Sequence, residues 1–536
     1  MTDDNGSDGS TRAFVLGLDG VPWGMLRKWA ERGDLPAFAE LLETGAAGPL
    51  ESTTPATTPL AWPSIATGTN ADKHGIYGFQ KLSRDGTHRM YSSDDLRQPA
   101  LWERLSPSMV GNVPMTYPAP EIDGTLAAGM MAPGVNDRWG HPDSFLERVR
   151  EEIPEYRIGL EWEQYGDRPE EFRAELADLL AARRKLMRLQ MEREDWRLFF
   201  FVYTAPDRLQ HLVWDEDVLL DHYEQLDDIL GEVMAYADRF DAALYVVSDH
   251  GFGPVEQFVS VPLILERAGL LARRRDSGSR GRLARLGVTK DAVRSWLDRV
   301  GIEDRTLVDH LPESFVDRVA QEIPGDHALY DIDRTRTDAF VHGPGNVYVN
   351  AAERFTDGRV EPGDVASVKR EVAELLADVR DPKTGERALV VHDGAELFPT
   401  DERSPDLVVK GRPGYESATS FNDDVFVDSD AKAANHRSEG VFFARGPEFE
   451  PGGAPTDASV VDVAPTLLHA LGEPVPAEMD GRVLTETFAD GSGPAERAVR
   501  IDDEDDATRR SRREESTDEE ARDGVEDRLR GLGYID

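Results

Sequence analysis

Three long apolar runs, each ending at an acidic residue, constrain the fold of this chain more than any other feature. They are AFVLGLDG (13–20), RLFFFVYTAPD (197–207) and AALYVVSDHG (242–251). Continuous apolar runs of this length are typical of strands buried on both faces, as in parallel sheets. Amphipathic helical sequence lies between them, most clearly over 168–195. The alternation predicts an α/β fold with a mostly parallel central sheet and helices on both faces.

The domain organisation is predicted from shifts in composition along the 536 residues. Residues 1–11 are polar and acidic, and residues 490–536 are acidic and poor in apolar side chains, so both ends are predicted to be disordered. A short helix is predicted at the very C-terminus. Basic, Gly/Ser-rich and then helical sequence predicts an inserted, mainly helical cap over 269–342. The core would then consist of 12–268 and 343–489.

The charge of the chain indicates its environment and excludes some partners. Acidic residues number 103 against 61 basic ones, for a net charge of -42, and they are spread over the whole length. Such a surface is tolerated where concentrated salt screens it, which predicts a halophilic protein; an acidic mesophilic protein is the alternative. The absence of a basic stripe argues against nucleic acid as a stable partner. The absence of cysteine excludes disulfides and thiol catalysis.

The cellular location is predicted from the same sequence. The N-terminal segment MTDDNGSDGSTR has no apolar signal-peptide core, and no apolar run approaches the roughly 20 residues of a membrane span. We therefore expect a cytoplasmic protein without a membrane span. The oligomeric state cannot be predicted from these features.

Acidic residues follow each of the three apolar runs, namely Asp19, Asp207 and Asp249. Ligands of open α/β sheets bind outside the carboxyl ends of the strands, so these carboxylates are candidates for a common site. A single Asp after a strand is more often a turn or capping residue. The repetition of the pattern, and the histidines that accompany it, favour a functional site.

Histidines lie close to two of these carboxylates, and another lies far downstream. His211 follows Asp207 by four residues, which places both on one face of a helix, and His250 is adjacent to Asp249. His436 precedes a further predicted strand, 439–446. Carboxylates and imidazoles together suit borderline divalent cations, Zn²⁺ first and Mn²⁺ or Fe²⁺ as alternatives.

The segment TTPLAWPSIATGTNADKHGIYGF (57–79) places several hydroxyl groups at the start of a predicted helix. Pro59 suits the first turn of a helix that begins at Thr58. A surface loop of weak turn formers would explain these residues. A threonine nucleophile would explain them as well.

The order of these motifs resembles the alkaline-phosphatase superfamily. Within it, the chain resembles the type I phosphodiesterase/nucleotide pyrophosphatase family, in its prokaryotic phosphohydrolase or phosphomutase branch and with the acidity of a haloarchaeal member. The stretches YTAPDRLQHLVW, VVSDHGFGP and NHRSEGVFFARGP carry the resemblance, which spans roughly 14–488.

The resemblance implies two divalent metal ions and a covalent threonine intermediate. It assigns the ligands to two groups: Asp207, His211 and His436 for one ion, and Asp19, Asp249, His250 and a threonine oxygen for the other. The family spacing places the nucleophile at Thr58, and Thr57 is the alternative because it also matches Thr-x-Pro. Metal coordination would lower the pKa of the hydroxyl and so activate it. His74, in His-Gly-Ile, would have a structural role in a turn.

The implied function is hydrolysis of a small phosphate ester, with diesters or nucleotide pyrophosphate bonds as the first substrate class. Phosphomonoesterase and phosphomutase or phosphotransferase activities are the alternatives; a sulfatase or a non-enzymatic scaffold is disfavoured. The asparagine with which family members grip a phosphate oxygen is replaced here by Phe79. Candidates for substrate contact are Phe79, Lys81 and Arg437. Arg84, Arg89 and Arg208 also lie near the motifs and could grip the phosphate oxygen, although most of these basic residues are expected to form salt bridges at the surface.

Overall fold

The structure is a computed structural model, which describes residues 11–160, 165, 168–274, 332–429 and 434–502. Most of the predicted cap, residues 275–331, lies outside the described residues, as do 1–10 and 503–536. The helices predicted for the masked part of the cap, and the disorder predicted for residues 1–10 and 503–536, are therefore not tested.

The strands differ widely in length. In chain order they are β1 (Ala13–Leu18), β2 (Ala46–Glu51), β3 (Gln80–Leu82), β4 (His88–Met90), β5 (Ser108–Val113), β6 (Gly124–Ala128), β7 (Gly140–His141), β8 (Leu198–Tyr203), β9 (Ala243–Val247), β10 (Gly251–Ser260), β11 (Ala339–Val341), β12 (Asn346–Val349), β13 (Leu389–Asp393), β14 (Leu407–Gly411), β15 (Gly414–Ala418), β16 (Phe426–Asp428), β17 (Ala434–Arg437), β18 (Glu439–Arg445), β19 (Val475–Pro476) and β20 (Ile501–Asp502).

The helices range from single turns to more than twenty residues. In chain order they are α1 (Trp23–Arg32), α2 (Pro36–Thr44), α3 (Thr58–Thr67), α4 (Ala71–His74), α5 (Leu101–Arg104), α6 (Asp143–Glu152), α7 (Pro169–Met191), α8 (Ala205–Leu212), α9 (Glu216–Arg239), α10 (Val261–Arg267), α11 (Val365–Ala377), α12 (Gly394–Leu397), α13 (Val463–Ala470) and α14 (Gly493–Glu496). No helix among the described residues has both the length and the apolar composition needed to cross a membrane.

The central sheet has the order β2-β18-β9-β1-β8-β5-β6-β7. The strands from β9 to β6 run parallel, while β18 and β7 are antiparallel to their neighbours. Strands β1, β8 and β9 lie within the three predicted apolar runs, and every one of their residues is buried. The predicted α/β class with a mostly parallel sheet is confirmed. Because β9, β1 and β8 are neighbours, their carboxyl ends meet at one edge.

A second, antiparallel sheet has the order β11-β12-β14-β13 and its own hydrophobic cluster. Helices α10 and α11 contribute to this cluster through Leu265 and Leu376. Strand β11 lies within the predicted cap, and the rest of the sheet lies within the predicted second part of the core. The domain boundaries remain a prediction.

Regular structure continues past residue 490, where the sequence predicted the start of the tail. Helix α14 and strand β20 lie there, and β20 pairs in parallel with β19. Backbone hydrogen bonds along this pair anchor residues up to Asp502, although their composition is acidic.

Candidate metal centre and nucleophile

The first predicted ligand group meets beside helix α8. Asp207 and His211 lie one turn apart on that helix, as predicted, with 3.4 Å between Oδ1 and Nε2. His436 Nε2 lies 3.1 Å from the same carboxylate oxygen and 3.1 Å from His211 Nε2. His436 reaches this position because β17 pairs with β10, the strand that begins one residue after His250.

The second predicted group lies at the ends of β1 and β9. His250 Nε2 is 3.3 Å from Asp249 Oδ2 and 3.7 Å from Asp19 Oδ1, and all three side chains are fully buried. The His250 and His436 rings stack with their centroids 3.8 Å apart, so the two groups form one centre. Within each group, the candidate ligand atoms lie within 4.8 Å of one another.

Hydrogen bonds at Nδ1 fix the orientation of two of the imidazoles. Nδ1 of His250 lies 3.0 Å from the carbonyl oxygen of Gly251, and Nδ1 of His436 lies 3.1 Å from that of Ala56. A carbonyl can only accept, so Nδ1 donates in both rings and Nε2 of the neutral ring presents a lone pair to the centre. This arrangement is typical of metal-binding histidines.

The electrostatics differ between the two groups. Burial, followed by the charge of Asp249, raises the pKa of Asp19 well above its ordinary value. Burial, followed by the charge of Asp207, likewise raises the pKa of Asp249. Burial works in the same direction on Asp207, but the contacts with His211 and His436 outweigh it and lower that pKa. The second group therefore holds repelling carboxylates that a cation would stabilise.

The residues present fit divalent cations. Oδ1 of Asp19 and Oδ2 of Asp249 are buried and accept no hydrogen bond from the part of the chain that the structure describes. A buried carboxylate oxygen without a donor is strongly destabilising, and coordination to a cation removes that penalty. Carboxylate oxygens and imidazole nitrogens are the ligand set expected for Zn²⁺, Mn²⁺ or Fe²⁺.

Thr58 lies at the centre, at the predicted start of helix α3. Its side chain is fully buried, and Oγ1 lies 3.3 Å from Nε2 of His250. Thr57 is the N-cap residue of the helix, yet its hydroxyl makes no hydrogen bond to the described residues. Of the two threonines, Thr58 is therefore the one whose hydroxyl contacts a predicted ligand.

Three further groups, which the sequence analysis did not single out, position the centre. The indole nitrogen of Trp62 donates to Oδ2 of Asp19 at 3.2 Å. The backbone N–H of Gly20 donates to Oδ1 of Asp249 at 3.1 Å, and the backbone N–H of Val21 donates to Oγ of Ser248 at 3.0 Å. The Asp-Gly pair that ends the first apolar run was a signal for the Gly20 contact; Trp62 had none.

The candidates for substrate contact lie in different surroundings. Phe79 is 3 % exposed and packs in the main core, although it and Lys81 both line a cavity of 610 Å³. Lys81 pairs with Asp95 at 2.7 Å. Arg437 pairs with Glu416 at 3.4 Å and donates to two backbone carbonyls. Both cations already have acidic partners.

Solved structures with a similar fold include two kinds of hydrolase. Phosphonoacetate hydrolase from Sinorhizobium meliloti 1021, in complex with phosphonoformate, is 15% identical; the match covers 87% of this chain and 96% of that one, with a TM-score of 0.53. An inactive variant of murine ectonucleotide pyrophosphatase/phosphodiesterase 5, in complex with AMP, is 14% identical over 89% of this chain and 100% of that one, with a TM-score of 0.49. At this low identity, the match with phosphonoacetate hydrolase shows a shared fold alone. A comparison with curated proteins gives no significant match.

A family model gives the wider assignment. The model of type I phosphodiesterase / nucleotide pyrophosphatase matches residues 13–441, a range that contains every predicted metal ligand and Thr58. Members of that family are metal-dependent phosphoester hydrolases. The match extends over most of the 536 residues, and the chain therefore belongs to the type I phosphodiesterase/nucleotide pyrophosphatase family.

Proposed function

We propose that this protein hydrolyses phosphodiester or nucleotide pyrophosphate bonds, with two divalent cations bound and with Thr58 as the nucleophile. The observation that carries the proposal is the position of the Thr58 hydroxyl, 3.3 Å from His250 in a centre where both predicted ligand groups meet. A small phosphate ester is the substrate.

The cations would be held by the residues that were predicted from the sequence. One group consists of Asp207, His211 and His436, and the other of Asp19, Asp249 and His250, with the Thr58 oxygen as a further ligand. Bound divalent cations supply Lewis-acid stabilisation of phosphate charge and lower the pKa of a coordinated hydroxyl. Zn²⁺ is the first expectation from this ligand set, with Mn²⁺ and Fe²⁺ as alternatives.

The chain itself positions the attacking oxygen. Thr58 is buried at the start of helix α3, so its hydroxyl has few rotamers available, and it lies 3.3 Å from Nε2 of His250. The hydroxyl loses its proton to solvent, its oxygen attacks phosphorus, and the bond from phosphorus to the leaving oxygen breaks. The leaving oxygen takes a proton from solvent. Water then attacks the phosphorus of the phospho- or nucleotidyl-threonine and releases Thr58 with its proton restored.

Related activities would share the first step. A phosphomonoesterase would accept a monoester, and a phosphomutase or phosphotransferase would pass the phosphoryl group to a second hydroxyl instead of water. The environment of Phe79 supports neither preference, because its ring packs in the core and offers no hydrogen bond to a phosphate. Substrate comparison must therefore decide between these activities.

The experiment compares bis-p-nitrophenyl phosphate with p-nitrophenyl phosphate, in molar KCl with Zn²⁺ or Mn²⁺. Thr58→Ala should lose diester turnover by a factor on the order of 10³ or more, because the nucleophile itself is removed. Thr57→Ala is the matched control, since it removes the adjacent hydroxyl, and it should retain most of the activity. Faster monoester turnover would favour the phosphatase or phosphomutase alternative. Full activity in Thr58→Ala would refute the proposed nucleophile.

A further inference from the structure

Two buried arginines lie beside the candidate metal centre. Arg208 follows Asp207 on helix α8 and is 3 % exposed; Arg183, on helix α7, is fully buried. Arginine is rarely buried to this extent unless its charge is paired or hydrogen-bonded. The partners of these two side chains therefore indicate what they do.

The guanidinium of Arg208 has no hydrogen-bond partner among the described residues. None of its three nitrogens donates a hydrogen bond to the described residues, and none of their carboxylates forms an ion pair with it. It is nevertheless held in place by packing against the backbone of Gly159. A Cβ atom at Gly159 would lie 2.3 Å from Nη1 and 2.9 Å from Cζ of Arg208, so a side chain there would require the guanidinium to move.

Arg183 lies close to Arg208, and its hydrogen-bond partners among the described residues are neutral. Its Nη1 donates to Thr204 Oγ1 at 3.0 Å, and its Nη2 donates to the carbonyl oxygen of Ile158 at 2.8 Å. Burial, followed by the charge of Arg208, lowers the pKa of Arg183 to about 10. Arg183 therefore remains charged at neutral pH, and no described carboxylate lies within ion-pair distance of either guanidinium, although the charge of Arg208 acts on Asp19 from farther away.

The location of this pair suits a ligand. Thr204 directly follows β8, and the hydroxyl of Tyr156 lies 3.5 Å from Oδ1 of Asn112, near the end of the neighbouring strand β5. Tyr156 lies within electrostatic range of both arginines. The pair therefore lies at the carboxyl edge of the sheet, where ligands of open α/β sheets bind, between the candidate metal centre and β5.

We propose that Arg208, supported by Arg183, binds a phosphoryl oxyanion of the substrate. A guanidinium presents planar donors that match two oxygens of a phosphate, and such charge-assisted pairs are strong in a buried site. The inference rests on the proposed function, because the ligand is a part of its substrate. The oxyanion has two possible sources: the phosphate that is cleaved, or a second phosphate on the same molecule.

The first test is calorimetric titration of the full chain with inorganic phosphate in EDTA, at the lowest KCl concentration that keeps the protein folded. Saturable binding to the wild type is expected, and Arg208→Met should weaken it by about 10- to 100-fold, the loss expected for a charged hydrogen-bonding pair. Arg208→Lys should bind with intermediate affinity, because it retains the charge without the planar donors.

The matched control is Arg334→Met. Arg334 is also buried, and its guanidinium donates no hydrogen bond to the described residues, but it lies over the rings of Phe340 and Phe355 in the second cluster. Its variant should lower the melting temperature and leave phosphate affinity unchanged. The proposal is overturned if the wild type shows no saturable binding, if Arg208→Met binds as well as wild type, or if Arg334→Met loses affinity equally.

Turnover distinguishes the two sources of the oxyanion. If Arg208 binds the phosphate that is cleaved, Arg208→Met should lower kcat for bis-p-nitrophenyl phosphate, which has a single phosphate. If it binds a second phosphate, that kcat should be unchanged while KM for ATP rises. Thr58→Ala should retain phosphate binding in EDTA while it loses turnover, so failure of the proposed nucleophile and failure of the Arg208 site give different results.

Discussion

Acid should destabilise this protein through His74, a buried imidazole that connects helix α3 with the turn after α4. The backbone N–H of Ile76 donates to Nδ1 at 3.2 Å, so the proton lies on Nε2, which donates to Oγ of Ser64 at 3.2 Å. Burial, followed by the charge of Arg97, lowers the pKa of His74 from 6.5 to about 3. The folded chain therefore keeps this imidazole neutral where the unfolded chain protonates it.

The sign and size of the effect follow from this pKa. The contribution of His74 to stability is complete above pH 6.5, and it decreases as the pH falls from 6.5 towards 3. A pH of 5 lies about 1.5 units below the pKa of the imidazole in the unfolded chain. Each unit corresponds to about 1.4 kcal/mol, so protonation of the unfolded chain lowers the free energy of unfolding by about 2 kcal/mol.

The assay is urea unfolding of wild type and His74→Asn at pH 7.5 and pH 5.0, in the same molar KCl and with EDTA. The variant should be less stable at both pH values, because the smaller side chain leaves a cavity. Its loss of stability between the two pH values should be smaller than that of the wild type by about 2 kcal/mol, because only this imidazole differs. An equal loss in both proteins would refute the reasoning. A variant whose melting temperature no longer responds to Zn²⁺ would place His74 in the metal centre instead of the turn.

Three further predictions concern a support of the metal centre, one of its ligands, and a buried carboxylate outside it. Gly17→Ala should destabilise the fold by about 1–3 kcal/mol and weaken Zn²⁺ binding, because the new Cβ would lie 2.4 Å from the ring of Trp62, whose indole nitrogen donates to Asp19. Denaturation measures the first effect and zinc titration the second. Unchanged zinc affinity would contradict the coupling between Gly17 and Asp19. Chelation should lower the melting temperature of the wild type, whereas in EDTA Asp249→Asn should melt higher than wild type because one repelling carboxylate is gone; a lower melting temperature would contradict this electrostatic reasoning. Burial raises the pKa of Asp95, but hydrogen bonds from Arg89 and Lys81 outweigh burial and lower that pKa to about 2. Asp95→Asn should therefore lower the free energy of unfolding by about 1.5–3 kcal/mol at pH 7, and in urea unfolding the variant should lack the loss of stability that the wild type shows between pH 3.8 and 2. An unchanged acid profile would contradict this assignment.

The central strands could be predicted because burial on both faces removes polar residues from them. The runs at 13–20, 197–207 and 242–251 contain β1, β8 and β9, and only the lengths of the strands differ from expectation. Local sequence does not give the order of strands in the sheet. The neighbouring positions of β9, β1 and β8 bring the three predicted carboxylates to one edge, and that order depends on the packing of the whole chain.

The position of His436 beside Asp207 and the existence of a second sheet were harder to predict. His436 lies opposite Phe252 because β17 pairs with β10, and β10 contains glycine and proline residues that do not mark a strand. Strands β12 and β14 contain short apolar runs like those of the central strands, yet both join a separate antiparallel sheet. The apolar pattern of a strand reports how deeply it is buried, but it does not identify the strands beside it.

The sequence also could not select which basic residue contacts the substrate, because several of them lie equally close to the motifs. Their partners in the folded chain separate them: Lys81 and Arg89 both bond to Asp95, and Arg437 bonds to Glu416. A substrate phosphate would have to displace these carboxylates, and exchanging one charged hydrogen bond of about 1.5–3 kcal/mol for another brings little net free energy. Arg208 would give up no hydrogen bond to the described residues on binding an anion. Substitution of Arg208 should therefore change phosphate affinity more than substitution of Lys81 or Arg437, although all three carry the same charge.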